Sequence, residues 1–232
     1  MINAAPRYRR HRFPIEIISH AVWLYYRFCL SFRDIEDLLA ERGIVVTHET
    51  IRQWCRKFGP DYARKLRRRQ GRLGDTWHLD ELFVSIQGRR HYLWRAVDQD
   101  GDVIDILVQR HRNMRAAKRF FRKLLKGQGS EPRRLVTDKL RSYAAAHRSV
   151  MPSVVHDARR YANNRAEVSH QPTRQRERQM RRFKSAAHAQ HFLSVHGLVR
   201  NLFNLSRHRL RAGNYRLLRG RAFAVWCEVV AA

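Results

Sequence analysis

Acid is scarce in this sequence, and so is cysteine. Only 20 of the 232 residues are Asp or Glu against 48 Lys and Arg, which leaves a formal net charge of +28 and a pI near 11.5. Lysine is also scarce, supplying seven of those 48. The positive charge is therefore mainly guanidinium, which can grip a phosphate through two parallel hydrogen bonds. Such an imbalance implies a polyanionic partner, with nucleic acid the expected one and a small-molecule substrate not expected.

The three cysteines, Cys29, Cys55 and Cys227, form no CxxC pair, which argues against a zinc ribbon or a disulfide scaffold. They are expected as buried thiols in a reducing cytosol. No apolar run approaches the ~18 residues of a membrane span. The start, MINAAPRYRRHRF, lacks the apolar stretch of a signal peptide. This predicts a cytoplasmic, DNA-associated protein with no membrane partner. With 44% hydrophobic and 10% aromatic residues the chain can bury a core.

Three zones follow. Residues 1–70 read as an all-α module. A short apolar helix is predicted over 15–29. A second begins after Ser31, where SFRD has the form of a capping box with Asp34 three residues on. Gly43 ends it and Thr47 caps a third helix, closed at Gly59-Pro60. On that helix Ile51, Trp54, Cys55 and Phe58 share one face, while Arg52, Gln53, Arg56 and Lys57 point outward. Two helices joined by a Gly-containing turn, the second with a basic and amide face, match a helix-turn-helix. The basic run RKLRRRQGR over 64–72, with Arg67 in it, reads as a connector lying along phosphates.

The period then changes. Strands are predicted over 76–86, 91–97 and 103–109, followed by a helix over 114–125. A short strand ends at Thr137-Asp138, and 153–156 is a last short strand. From Asn164 the chain reads as mainly helical. This order is that of a ribonuclease H-like α/β fold, a mixed sheet flanked by helices. The zones are 1–70 for the DNA-binding module and connector, 71–205 for the catalytic domain, and 206–232 for a C-terminal helical segment.

The first strand, TWHLDELFVSI, carries Asp80 and Glu81 at its centre, where acids are depleted. Asp138 lies at the end of another strand. Two carboxylates converging at a sheet edge repel, and a divalent cation, a hard ion such as Mg²⁺, relieves that repulsion and also binds phosphate oxygens. A third acid is sought among Asp157, Glu167 and Glu177. Glu177 sits among arginines and is expected to pair with them. Asn163-Asn164 signals a helix start, which would place Glu167 in the first turn. Arg174 and Arg178, seven and eleven residues on, would share its face, although Pro172 predicts a kink. Glu81 is expected on the opposite face of the strand, paired with a basic neighbour, and Lys139 is a candidate phosphate contact.

DELFV in the first strand, YLWRAVD in the second, RN after the third, then VTDKLRSY and YANNRAE…HQPTRQRERQMRRFKS resemble the DDE transposases of bacterial insertion sequences. The resemblance covers nearly the whole chain and is closest to the sixth insertion-sequence family. It implies a ribonuclease H-like catalytic domain with two Mg²⁺ or Mn²⁺ ions, double-stranded DNA as partner (terminal inverted repeats and target DNA), DNA cleavage and strand transfer, and a homo-oligomer. The family's three acids map to Asp80, Asp138 and Glu167, and its basic residue seven positions after the glutamate maps to Arg174. The alternatives are a metal-dependent nuclease or resolvase on the same core, and a catalytically inactive DNA-binding protein.

Overall fold

The computed structural model of the protein describes residues 8, 11–28, 30–71, 73–159, 162–163, 166, 174, 183–205 and 209–231. In chain order the named elements are α1 (Ile15–Arg27), α2 (Phe32–Ala40), α3 (His48–Arg69), β1 (Thr76–Ile86), β2 (Arg89–Asp98), β3 (Val103–Gln109), α4 (Met114–Gln128), β4 (Arg134–Thr137), α5 (Arg141–Val150), β5 (Val155–Asp157), α6 (Ala186–Phe203) and α7 (Ala212–Ala231). They fall into two compact units, Met1–Gln70 with Leu198–Ala232, and Gly71–Gly197.

In the first unit the capping signals work as the side-chain chemistry dictates. Ser31 Oγ accepts from the Asp34 N–H, and the Asp34 carboxylate accepts from the Ser31 N–H at 2.6 Å. Thr47 Oγ1 accepts from the Thr50 N–H, and Gly43, at φ 73°, makes the turn between α2 and α3. The expected stop at Gly59-Pro60 is overturned, because α3 runs through it to Arg69. Pro60 cannot donate to the Arg56 carbonyl one turn back, which costs the helix a bond. Burial on either side compensates: Phe58, Tyr62 and Leu66 are all core residues. A Cβ on Gly59 would stand 2.7 Å from the Tyr26 ring, whose hydroxyl donates to the Cys55 carbonyl. The first part of the expected connector, Arg67 included, is therefore helix.

The last helix belongs to this unit, whereas the sequence alone sets 206–232 apart. Trp226 meets the Tyr62 ring edge-on at 5.3 Å. Lys65 donates to the Val229 carbonyl at 2.9 Å, and Arg69 pairs with Glu228. Of the described cysteines Cys55 is buried, as expected, but Cys227 is exposed, because it falls on the outer side of α7.

The second unit is built on a five-stranded sheet in the order β3-β2-β1-β4-β5. β1, β2 and β3 are antiparallel neighbours, while β4 runs parallel to β1 and β5 parallel to β4. This is the ribonuclease H-like sheet. Gln87 and Gly88 both have positive φ, as a two-residue primed hairpin turn between β1 and β2 requires. The Asp98 carboxylate ties the next turn, accepting from the N–H groups of Asp100, Asp102 and Gly74. β3 is an edge strand whose free backbone groups need partners. The Gln190 side chain of α6 supplies them, accepting from the Val108 N–H and donating to the Ile106 carbonyl.

One face of the sheet packs on α4 and α5. Trp77, Leu79, Trp94 and Leu135 from the strands meet Phe120, Phe121, Leu124 and Tyr143 from the helices. Each such side chain contributes about 1.5–3 kcal/mol when fully buried, so the strand ends that carry the polar residues are held on a stiff base. The helix expected from Asn164, with Glu167, Pro172, Glu177 and Arg178, lies outside the described residues apart from Ala166 and Arg174.

Candidate active site

The register of the parallel pair decides where the acids go. β1 and β4 match Leu79 with Thr137 as their last partners. The next residue on each strand is an aspartate, so Asp80 and Asp138 stand side by side where the pairing ends. Parallel neighbours are spaced about 4.8 Å apart. The Asp80 carboxylate turns to accept from the Glu81 N–H at 2.8 Å, and Asp138 accepts from the Leu140 N–H at 3.0 Å. Thr137, fully buried, donates to the Asp138 carbonyl and lies 2.9 Å from His156 Nε2.

Glu81 has the basic partner the sequence leads one to expect, and more besides. Strand alternation does send its side chain toward the α4–α5 face, and it does pair with a basic residue, Arg112. Its carboxylate nevertheless stays with the aspartates: ligand oxygens of Asp80, Glu81 and Asp138 all lie within 4.8 Å of one another. β4 ends at Thr137, which leaves the flank of β1 open from Asp80 onward and lets Asp80 curl back along the strand. Among the described residues this is the one group of three metal-ligating side chains so disposed.

The electrostatics are those of crowded acid under low hydration. The Glu81 side chain is only 2% exposed, and its pKa is pushed up to about 7. Burial is the largest cause and the Asp138 charge adds to it, while Tyr143 and Arg112 oppose it. Tyr143, buried beside Glu81, has its own pKa raised, first by burial and then by the Glu81 charge. Arg112 spans two of the acids, bonding Glu81 through Nε and standing 3.6 Å from Asp138 through Nη2. Neither Arg112 nor Tyr143 stands out as a site residue in the sequence, although RN and LRSY within the quoted motifs contain them.

Asp157, a rival for the third acid, is committed elsewhere. It is buried at the end of β5, and Arg134 and Arg159 both bond its carboxylate. Those contacts hold its pKa far below the usual carboxylate range, Arg159 being the larger cause. Glu167 lies outside the described residues. The segment before it is anchored, since the Asn163 side chain, expected as a helix cap, donates to the Leu79 carbonyl at 2.7 Å. Leu79 immediately precedes Asp80.

The expected DNA contacts are scattered over both units. On α3, Gln53, Arg56 and Lys57 are exposed. Arg52 is engaged by Glu49 through two bonds, and Lys57 lies 2.8 Å from His11 Nε2. Arg67 is half-buried and Lys139 exposed, next to Asp138. Arg174 lies against β1 three residues past Asp80: its guanidinium donates to the Phe83 carbonyl at 3.1 Å and sits 5.0 Å from the Phe83 ring centre. Arg90 covers the same ring at 5.2 Å. Arg178 lies outside the described residues.

With this geometry in view the similarities fall into place. A family model described as DDE domain matches residues 74–206. A transposase for the insertion sequence-like element IS431mec of Staphylococcus aureus is 31% identical over 168 residues, which are 70% of this chain and 75% of that protein. A second Staphylococcus aureus protein, the transposase for insertion sequence element IS257 in transposon Tn4003, is 30% identical over the same length and shares. Among solved structures, the HTLV-2 integrase catalytic core domain in complex with magnesium is similar at a TM-score of 0.40 and 12% identity, over 59% of this chain and 90% of that one. The matched domain contains both aspartates where the pairing of β1 with β4 ends, and the chain belongs to the DDE transposase family.

Proposed function

We propose that Asp80, Asp138 and Glu167 form the catalytic centre at which this transposase cuts the ends of its element and joins them to target DNA. The observation that carries this reading is the register: Asp80 and Asp138 follow the last paired residues of two parallel strands, and their oxygens converge. Nothing in the packing of the core requires two acids there. The Asn163–Leu79 bond supports Glu167 as the third, because it ties the segment leading to that residue next to Asp80.

The donor set fits a divalent cation. It consists of hard carboxylate oxygens within reach of one another, and the single charge of Arg112 is too little to neutralise them all. Asp80 and Asp138, with Glu167, would hold Mg²⁺ or Mn²⁺, with two ions as the family resemblance implies. When bound, such ions supply Lewis-acid stabilisation of charge on phosphate oxygens and acidify bound water. The protein's own groups set the stage for that chemistry. Thr137 and the Leu140 N–H fix Asp138, the Glu81 N–H fixes Asp80, and Arg112 restrains the acids while offering a cation to an incoming phosphate.

The terminal inverted repeats are read by α3 through Gln53, Arg56 and Lys57, with Arg52 braced against Glu49. Arg67, Lys139, Arg174 and Arg178 follow the backbone. The protein acts as a homo-oligomer on DNA in the cytoplasm. Among the described residues no helix is long and apolar enough to cross a membrane. The test is direct: incubate the protein with duplex DNA carrying its flanking inverted repeat and Mg²⁺, then map 3′-end cleavage and strand joining. Cleavage at the repeat boundary is expected. DNA binding without cleavage in either Mg²⁺ or Mn²⁺ would leave only a binding protein.

A further inference from the structure

The segment that carries Arg112 also borders a cleft that the chemistry proposed for the acids does not use. It has a volume of about 590 Å³ and opens between the end of β3, the first turns of α4 and the start of α6. That is within the range of pockets that hold a ligand of several linked groups, and far more than one phosphate fills. Two of its wall side chains are buried and polar, set among Val108, Ala116 and Ala186. His91 and Gln109 are buried, and Gln109 donates to the Ala116 carbonyl at 2.9 Å. Its rim is cationic: Arg110, His111, Arg115 and Arg119 all line it and are all exposed.

No carboxylate lines the cleft among the described residues. This contrasts with other cations of the same unit, where Lys123 has Asp105, and Arg134 and Arg159 share Asp157. Arg115 and Arg119 are one turn apart on α4 and so present one face. The cleft is also connected to the acids by the chain itself. Residues 110–113 bridge β3 and α4. Arg110 and His111 line the cleft, Arg112 turns the other way onto Glu81 and Asp138, and Asn113 caps α4 through the Ala116 N–H.

We propose that this cleft is a phosphate-binding subsite for the DNA strand that leaves the acid cluster, gripping two or three consecutive phosphates next to the cut. It rests on the DNA-cleaving reading above and adds to it a place where the cut strand is held. Exposed guanidiniums around a cleft that no carboxylate lines among the described residues match a run of phosphates. A small anion would leave most of the volume empty, and an apolar ligand would desolvate the cations without replacing their hydrogen bonds.

The test uses the full chain with Arg115→Ala/Arg119→Ala together, and Arg115→Lys/Arg119→Lys as the charge-keeping pair. Binding to a duplex ending in the inverted repeat is measured by anisotropy across a salt series, and thermal unfolding is followed in parallel. Each phosphate contact contributes about −0.9 to the log–log salt slope. The alanine pair should therefore flatten the slope by about 2, weaken binding roughly tenfold or more at low salt, and reduce strand joining, with unfolding unchanged. The lysine pair should recover most of the slope. Ethylation of single phosphates should weaken the parent but not the alanine pair at positions within a few nucleotides of the cut. If the parent shows a steep slope and the alanine pair matches it, the cleft is not a DNA subsite while the transposase reading stands. The subsite is equally ruled out if the lysine pair is as defective as the alanine pair, or if the sensitive phosphates lie deep within the repeat. If the parent itself shows no salt dependence, both readings fall.

Discussion

Two groups of acids on one sheet are held in opposite ways. Asp157, at the end of β5, is buried with two guanidiniums on its carboxylate. Asp105 on β3 has Lys123, and Asp98 at the end of β2 has three backbone N–H groups. On the same sheet, Asp80, Glu81 and Asp138 crowd against one another, with Arg112 spanning two of them. Acids that serve the fold have their charge answered one by one inside the chain. Those at the junction of β1 and β4 are turned on each other, which raises the free energy of the isolated protein and leaves affinity for a cation. Crowding of acid against acid, more than the presence of acid, marks the site.

The largest effect that could break this contrast is on catalysis. Asp80→Asn, Asp138→Asn and Glu167→Gln each keep side-chain size and remove the charge. Each should lower cleavage and strand transfer by orders of magnitude, and double variants should be no worse than singles, because the three act as one unit. Binding to the element ends should survive or tighten, since repulsion of phosphate is relieved. The two aspartate variants should also melt no lower than the parent. Gel assays of cleaved ends beside melting curves decide it. If Glu167→Gln cuts normally while Glu177→Gln is dead, the third acid is Glu177.

Asp157→Asn should do the reverse. Its loss removes charge-assisted bonds to Arg134 and Arg159, each worth roughly 1.5–3 kcal/mol in general. Both arginines are partly exposed and can rehydrate, so a net cost of about 1–3 kcal/mol is expected in urea unfolding. Cleavage per folded molecule should stay near the parent's. Because the folded carboxylate is held below its ordinary range, this contribution is present above about pH 4 and is lost as pH falls further. The variant should therefore lose its deficit relative to the parent in acid. A dead but stably folded Asp157→Asn protein would erase the distinction between the two groups.

Much of this contrast is legible in the residues alone, and the reasons for the rest are specific. Period-two apolar runs bounded by QGRR and DQDGD mark out β1 and β3, because turn chemistry there is local. Asp80 and Asp138 stand out because an acid at a strand centre or end is locally unfavourable and calls for an explanation. Three things are hidden. Helix α3 passes Pro60 because burial of Phe58 and Tyr62 outweighs one lost bond, a tertiary effect absent from local propensity. Alternation assigns Glu81 to the other face, but its reach back toward Asp80 depends on where β4 stops pairing, a fact of register. Arg112 looks like any surface charge, and Asp157 like a candidate third acid, until the fold shows which acids have cations of their own and which crowd together.

The smallest expected effect tests Glu81, which sits on the boundary between the two groups. Its side chain is almost wholly buried and bonded by Arg112, as a structural acid is, yet its oxygens lie with the aspartates. An ordinary glutamate titrates near 4.5, whereas here the native state keeps the proton until about pH 7. Between those values the native chain binds one proton more than the unfolded chain, so stability falls as pH rises through that window and is level on either side of it. Glu81→Gln cannot lose a proton. The variant should match the parent near pH 4 and be more stable at pH 8, with the pH-dependent fall reduced. Adding Mg²⁺ at pH 8 then separates the two roles. If Asp80 and Asp138 hold the ion and Glu81 only braces Arg112, saturating Mg²⁺ raises the melting temperature of parent and variant alike, and the variant still cuts DNA. If Glu81 is a ligand, the variant gains less from Mg²⁺ and loses cleavage with the aspartate variants. Glu81 would then join the acids that the fold turns on one another to hold a cation.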